Sequence, residues 1–84
     1  IINVHPSLLP SFKGIKAIER AYHSGVKITG CTVHFVKDEI DSGPIIIQAA
    51  IPVSDTDSIE SLAEKIHLYE HLILEEGLQI AITA

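Results

Sequence analysis

The 84 residues carry 11 acidic against 6 basic side chains, a formal net charge of -5, and 46% of them are hydrophobic although only 5% are aromatic. That length excludes more than one domain, the acidic balance argues against a nucleic-acid footprint, and no apolar run approaches the length of a membrane span. The single cysteine, Cys31, excludes an internal disulfide framework and suits a reducing, cytoplasmic setting.

So many aliphatic residues in so short a chain read as part of a larger buried sheet rather than as a self-sufficient unit. Ile1 opens directly in an apolar run, and the expectation is the C-terminal portion of a longer domain. Ile1 to His5 reads as a short buried strand that Pro6 ends, because proline has no N–H for a ladder. Asn3 and His5, two residues apart, share one face of it. Two polar groups at a strand's C-terminal end are either a mutually satisfied pair or the start of an α/β active site, where ligands sit outside such ends.

Residues 6 to 14 form a loop punctuated by Pro6, Pro10 and Gly14. The spacing predicts a helix from Ile15 to His23, with Ile15, Ile18 and Tyr22 on one stripe and Gly25 as its stop. Cys31 to Val36 reads as a strand with Thr32, His34 and Val36 on one side and Cys31, Val33 and Phe35 on the other. Cys31 there is a small apolar filler. A polar loop, 37 to 44, leads to a second strand, Ile45 to Val53. Its nearly continuous apolar run predicts burial on both faces, and the short connection predicts antiparallel pairing with the strand before it. Asp57 and Glu60 are spaced as a capping box. They introduce a helix from about Ser58 to near the end, with Ile59, Leu62, Ala63, Ile66, Ile73, Leu74 and Leu78 on or beside one stripe.

Several residues break this pattern. Glu70 falls on the apolar stripe between Ile66 and Ile73, where a carboxylate is costly unless paired or presented to a polar cavity. It is either one half of an ion pair with a lysine or an acceptor for a ligand's hydroxyl or amino groups. His34 sits mid-strand among apolar neighbours, as a hydrogen-bonded core group or as part of a pocket with His5 and Asp41. His67 and His71 have metal-gripping i, i+4 spacing, but no third ligand stands at a recognisable distance. Asp41 immediately precedes a Ser-Gly-Pro turn that can aim its side chain. No nucleophile elbow or paired-cysteine zinc signature is present, and Ser7 and Ser11 have no base-and-acid context.

Three motifs in order, Asn3-x-His5-Pro6-Ser7-Leu8-Leu9-Pro10, Gly30-Cys31-Thr32-Val33-His34-Phe35-Val36 and Asp41-x-Gly43-Pro44, resemble the 10-formyltetrahydrofolate-dependent formyltransferase family. The likeness extends over essentially the whole chain. It implies an α/β fold, a doubly wound, mostly parallel sheet with flanking helices, of which residues 1–84 would be the C-terminal half of one catalytic domain. It implies transfer of a formyl group from 10-formyltetrahydrofolate, as cosubstrate, to the amine of glycinamide ribonucleotide, with no metal, no nucleic acid and no membrane involved.

The family's catalytic trio falls on Asn3, His5 and Asp41. Asn3 would donate to the developing oxyanion, and so would a protonated His5. Asp41 would favour the charged imidazole and hold a water that shuttles the proton. The resemblance places Pro6 in the substrate-contacting loop, Glu70 on the ribonucleotide, and Val36 and the Lys37 to Asp41 loop, which contains Ile40, around the pterin; His34 joins the substrate-binding set as a lining of one pocket with His5 and Asp41. Family members that hydrolyse formyltetrahydrofolate use the same trio with water as acceptor, but tend to carry a second histidine where this chain has Pro6. A non-catalytic folate- or nucleotide-binding module is the reading from another class. Ile15-Lys16-Ala17-Ile18 departs from the histidines that relatives often carry there.

Overall fold

A computed structural model describes residues 1–38 and 41–83. The elements are β1 (Ile2–His5), α1 (Ala17–Ser24), β2 (Ile28–Phe35), β3 (Ile45–Pro52) and α2 (Ile59–Thr83). The strands make one sheet in the order β1-β2-β3, antiparallel at both pairings. The β2–β3 pairing is the one the short connection predicts. The expected parallel pairing is not found among the described residues. His5 at the end of β1 lies opposite Thr32, and β2 begins four residues earlier at Ile28. The chain therefore leaves the sheet and returns to it at the same end, and β2 must run back along β1.

One face of the sheet carries the core. Cys31 and Val33 of β2 and Ile51 of β3 pack with Leu62, Ile66 and Ile73 of α2 and Ile18 of α1, and Ile2 and Val4 of β1 lie against this cluster. The i, i+3/i+4 spacing on α2 aims these side chains at the sheet. Gly77, one turn beyond Ile73, brings the helix backbone close: a Cβ there would stand 2.8 Å from Cγ1 of Val33.

Three sequence expectations are corrected. Ile15 is not on the helical stripe; it is 81% exposed, and α1 buries Ala17, Ile18 and Ala21 instead. Lys16, at φ 55, stands in left-handed backbone just before α1 and disconnects Ile15 from it. β3 is not buried on both faces: Ile45 is 48% exposed and only Ile51 is fully buried, because β3 lies at the edge of the sheet. The cap of α2 is not Asp57 with Glu60. Ser58 Oγ accepts the Ser61 N–H at 3.1 Å, and Ser61 Oγ accepts the Ser58 N–H at 2.9 Å, a reciprocal box displaced by one residue. Asp57 instead accepts from Lys65 Nζ at 2.6 Å and from Ser61 Oγ at 2.7 Å.

The opposite face of the sheet presents His5, Thr32 and Gln48, and loop 6–14 lies across it. Thr32 is fully buried and ties the loop down. Its Oγ1 donates to the Ser7 carbonyl at 2.7 Å and accepts from the Leu9 N–H at 3.1 Å. Gln48 Nε2 donates to Thr32 Oγ1 and to the Leu9 carbonyl, both at 3.0 Å.

Candidate active site

The loop so anchored places two backbone groups against two side chains. His5 is buried, with Nδ1 3.2 Å from Asp41 Oδ1 and Nε2 3.0 Å from the Phe12 carbonyl oxygen. The Phe12 carbonyl can only accept, so Nε2 is the donor in that hydrogen bond, while the Asp41 carboxylate stands at ion-pair distance from Nδ1. The second carboxylate oxygen of Asp41 accepts the Gly14 N–H at 2.6 Å. Asp41 thus bridges the imidazole and the loop. Its own backbone is left-handed, φ 49, a conformation aspartate tolerates better than most residues. Gly43 at φ 124 completes the turn, and a Cβ there would run into the Phe35 carbonyl.

A cavity of about 300 Å³ opens beside this arrangement, lined by Asn3, His34, Val36, Lys37, Asp38, Asp41 and Ser42. Asn3 and His34 are cross-strand partners, so the strand register itself brings them together. His34 Nδ1 lies 3.0 Å from the Phe35 carbonyl, which fixes that nitrogen as the donor. Its buried Nε2 has no partner among the described residues. The structure therefore gathers Asn3, Asp41, His34 and Val36 around one space, with His5 directly behind Asp41. Ile40, placed on the pterin by the resemblance, lies outside the described residues.

Glu70 is elsewhere. With Val4, His67, His71 and Leu74 it lines a second cavity of about 250 Å³. The two cavities draw on consecutive residues of β1, which point to opposite faces of the sheet: Asn3 for one and Val4 for the other. Glu70 Oε1 pairs with His67 Nδ1 at 2.6 Å, so its ion-pair partner is a histidine one turn back and not a lysine. That contact occupies one of the two histidines with metal-gripping spacing. Among the described residues no cluster of three or more His, Cys, Asp or Glu side chains is gathered. Pro6 is half-buried, directly after His5, and lines neither cavity. Burial first, and the Glu70 charge second, push the Cys31 thiol up to about 12, which leaves it protonated and inert. The contacts that sequence reasoning missed are the Phe12 carbonyl, the Gly14 N–H, Thr32 and Gln48. The Thr32 signal was a polar residue on the same strand face as His34; the backbone groups carry no sequence signal.

Residues 1–78 match the family model described as Formyl transferase. The chain belongs to the formyl transferase family. It is 51% identical over 80 residues to the trifunctional purine biosynthetic protein adenosine-3 of Bos taurus, covering 95% of this chain and 8% of that protein. It is 51% identical over 71 residues to phosphoribosylglycinamide formyltransferase of Bacillus subtilis (strain 168), covering 84% and 36%. Among solved structures, phosphoribosylglycinamide formyltransferase from Anaplasma phagocytophilum superposes with a TM-score of 0.91 at 59% identity, over 93% of this chain and 38% of that one. A formyltetrahydrofolate deformylase from Pseudomonas syringae pv. tomato str. DC3000 superposes with a TM-score of 0.88 at 45% identity, over 92% and 26%. The fold is thus the formyltransferase fold, and this chain spans well under half the length of each of these relatives. Among the described residues no helix is long and apolar enough to cross a membrane.

Proposed function

We propose that this chain is the C-terminal half of a catalytic domain that transfers a formyl group from 10-formyltetrahydrofolate to the primary amine of glycinamide ribonucleotide. The observation that carries the reading is the His5–Asp41 pair set beside the Asn3 cavity, at 3.2 Å, in a chain whose relatives include named phosphoribosylglycinamide formyltransferases. The remaining part of the domain would pair with the outer edge of β1 and extend the sheet into a doubly wound, mostly parallel one.

The amine nitrogen attacks the formyl carbon and the carbonyl oxygen becomes an oxyanion. Asn3, exposed at the cavity wall, supplies an amide N–H to that oxygen. His5 Nε2–H donates to the oxyanion by exchanging the Phe12 carbonyl for it, while Asp41, 3.2 Å from Nδ1, holds the ring's orientation. Collapse of the adduct breaks the bond to N10. The proton lost by the amine reaches N10 through a water on the Asp41 carboxylate. Val36, with Lys37 and Asp38 beside it, forms the pterin wall. Pro6 belongs to the substrate-contacting loop, and Glu70 faces the ribonucleotide, whose hydroxyls its carboxylate accepts from.

The second reading is hydrolysis of the formyl folate, favoured by the similarity to the Pseudomonas deformylase. Pro6 directly after His5 speaks for the amine acceptor. The test is product analysis on the full-length protein given 10-formyltetrahydrofolate with and without glycinamide ribonucleotide. Formylated ribonucleotide in step with folate deformylation, and little turnover without the amine, is the expected result. Formate release that is indifferent to the amine would establish the hydrolase.

A further inference from the structure

Arg20, in the first turns of α1, reaches back over the loop. Its Nη1 donates to the Lys13 carbonyl at 2.6 Å and to the Ile15 carbonyl at 3.0 Å, and its Cζ lies 5.7 Å from the centre of the Phe12 ring. The Lys13 carbonyl and the Gly14 N–H are the two ends of one peptide group. That group is planar, so a donor that fixes the oxygen also fixes the direction of the N–H. This N–H is the one that Asp41 Oδ2 accepts at 2.6 Å.

The contacts therefore run from Arg20 through the 13–14 peptide to Asp41 and on to His5. A cation at the oxygen polarises the peptide and strengthens its N–H as a donor, as hydrogen bonds in a chain reinforce one another. The neighbouring backbone needs such a hold. Phe12, Gly14 and Lys16 all have positive φ, at 53, 88 and 55, and non-glycine residues keep that conformation only where surrounding contacts impose it. Phe12 is also the residue whose carbonyl meets His5 Nε2. One guanidinium thus fixes the peptide that Asp41 accepts from and lies over the ring of the residue whose carbonyl meets His5.

We propose that Arg20 is a positioning residue for the His5–Asp41 pair, aiming and polarising the 13–14 peptide so that Asp41 stays seated on the imidazole. The proposal rests on the catalytic reading of that pair given above. Arg20 itself is exposed and lines neither of the two cavities.

The test compares Arg20→Ala and Arg20→Lys in the full-length protein, each alone and combined with Asp41→Asn. Arg20→Ala lowers kcat by about 3- to 10-fold, the scale of one hydrogen bond, and leaves both KM values nearly unchanged. Arg20→Lys, which keeps a charged donor, restores most of the rate. In the Asp41→Asn background Arg20→Ala costs nothing further, because the relay is already cut. The Gly14 amide proton moves upfield in the NMR spectrum of Arg20→Ala. Arg20→Met, which keeps the aliphatic stem, replaces the alanine variant if that fails to fold. An unchanged kcat, an equal loss in both backgrounds, or an unmoved Gly14 resonance would each overturn the proposal. Absence of formyl transfer by the unmodified protein would instead refute the function, and the Gly14 resonance would still judge the link from Arg20 to Asp41.

Discussion

His5 sits between two acceptors, the Asp41 carboxylate and the Phe12 carbonyl, at 3.2 and 3.0 Å. A ring held this way has one orientation, which suits a group that must aim a donor at an oxyanion. The side-chain half of this site was legible from residue types and spacing: Asn3 and His5 share a strand face, and Asp41 precedes a turn that aims it. The backbone half was not, because a carbonyl at Phe12 and an N–H at Gly14 exist whatever the side chains, and only the path of the loop says where they point. Glu70 was legible as an anomaly but not as to its partner. If it serves the ribonucleotide, Glu70→Gln in the full-length protein raises KM for glycinamide ribonucleotide by several-fold, leaves that for the folate alone and leaves the melting temperature within a degree or two, since the His67 contact is with an exposed ring and worth little. A lowered melting temperature with both constants unchanged would make the pair structural.

At the scale of elements, the helices existed where periodicity placed them, and their ends moved. Local polar groups chose among competing caps: Ser58 and Ser61 took the box, which freed Asp57 for Lys65. The hydrogen bond from Lys65, then those from Ser61 and the Ser54 amide, hold the Asp57 carboxyl down from 3.8 to about 2. Because the folded value is the lower one, the contribution is complete above the unfolded value of 3.8 and fades as the pH falls toward 2. The difference in melting temperature between the unmodified protein and Asp57→Asn accordingly closes over that window; a difference that persists to pH 2 would contradict the assignment. Gly77 makes the complementary point about packing. Alanine gains about 1 kcal/mol of helix propensity there, but its Cβ would stand 2.8 Å from Cγ1 of the fully buried Val33. Val33 is β-branched and cannot swing away, so overpacking of about 1–3 kcal/mol prevails. Gly77→Ala lowers the denaturant midpoint, and an unchanged or raised midpoint would show that helix and sheet can part at no cost.

For the whole molecule, the apolar content raises the expectation of a larger buried sheet, and the arrangement of the three described strands could not be read from it. Strand direction depends on which end the chain re-enters, and the loop across Thr32 decides that. The same surplus of aliphatic residues remains visible on the surface, with Leu68 and Leu72 of α2 63% and 56% exposed. Expressed alone, residues 1–84 are expected to aggregate through this surface and the outer edge of β1; a monodisperse species with a cooperative melt would count against the half-domain reading. The central claim is that the His5–Asp41 pair beside Asn3 performs formyl transfer. Its most direct test is steady-state turnover of 10-formyltetrahydrofolate and glycinamide ribonucleotide by the full-length protein carrying His5→Ala or Asp41→Asn. Each variant is predicted to lose roughly 100-fold or more in kcat while remaining folded, and near-normal turnover by either would contradict the account.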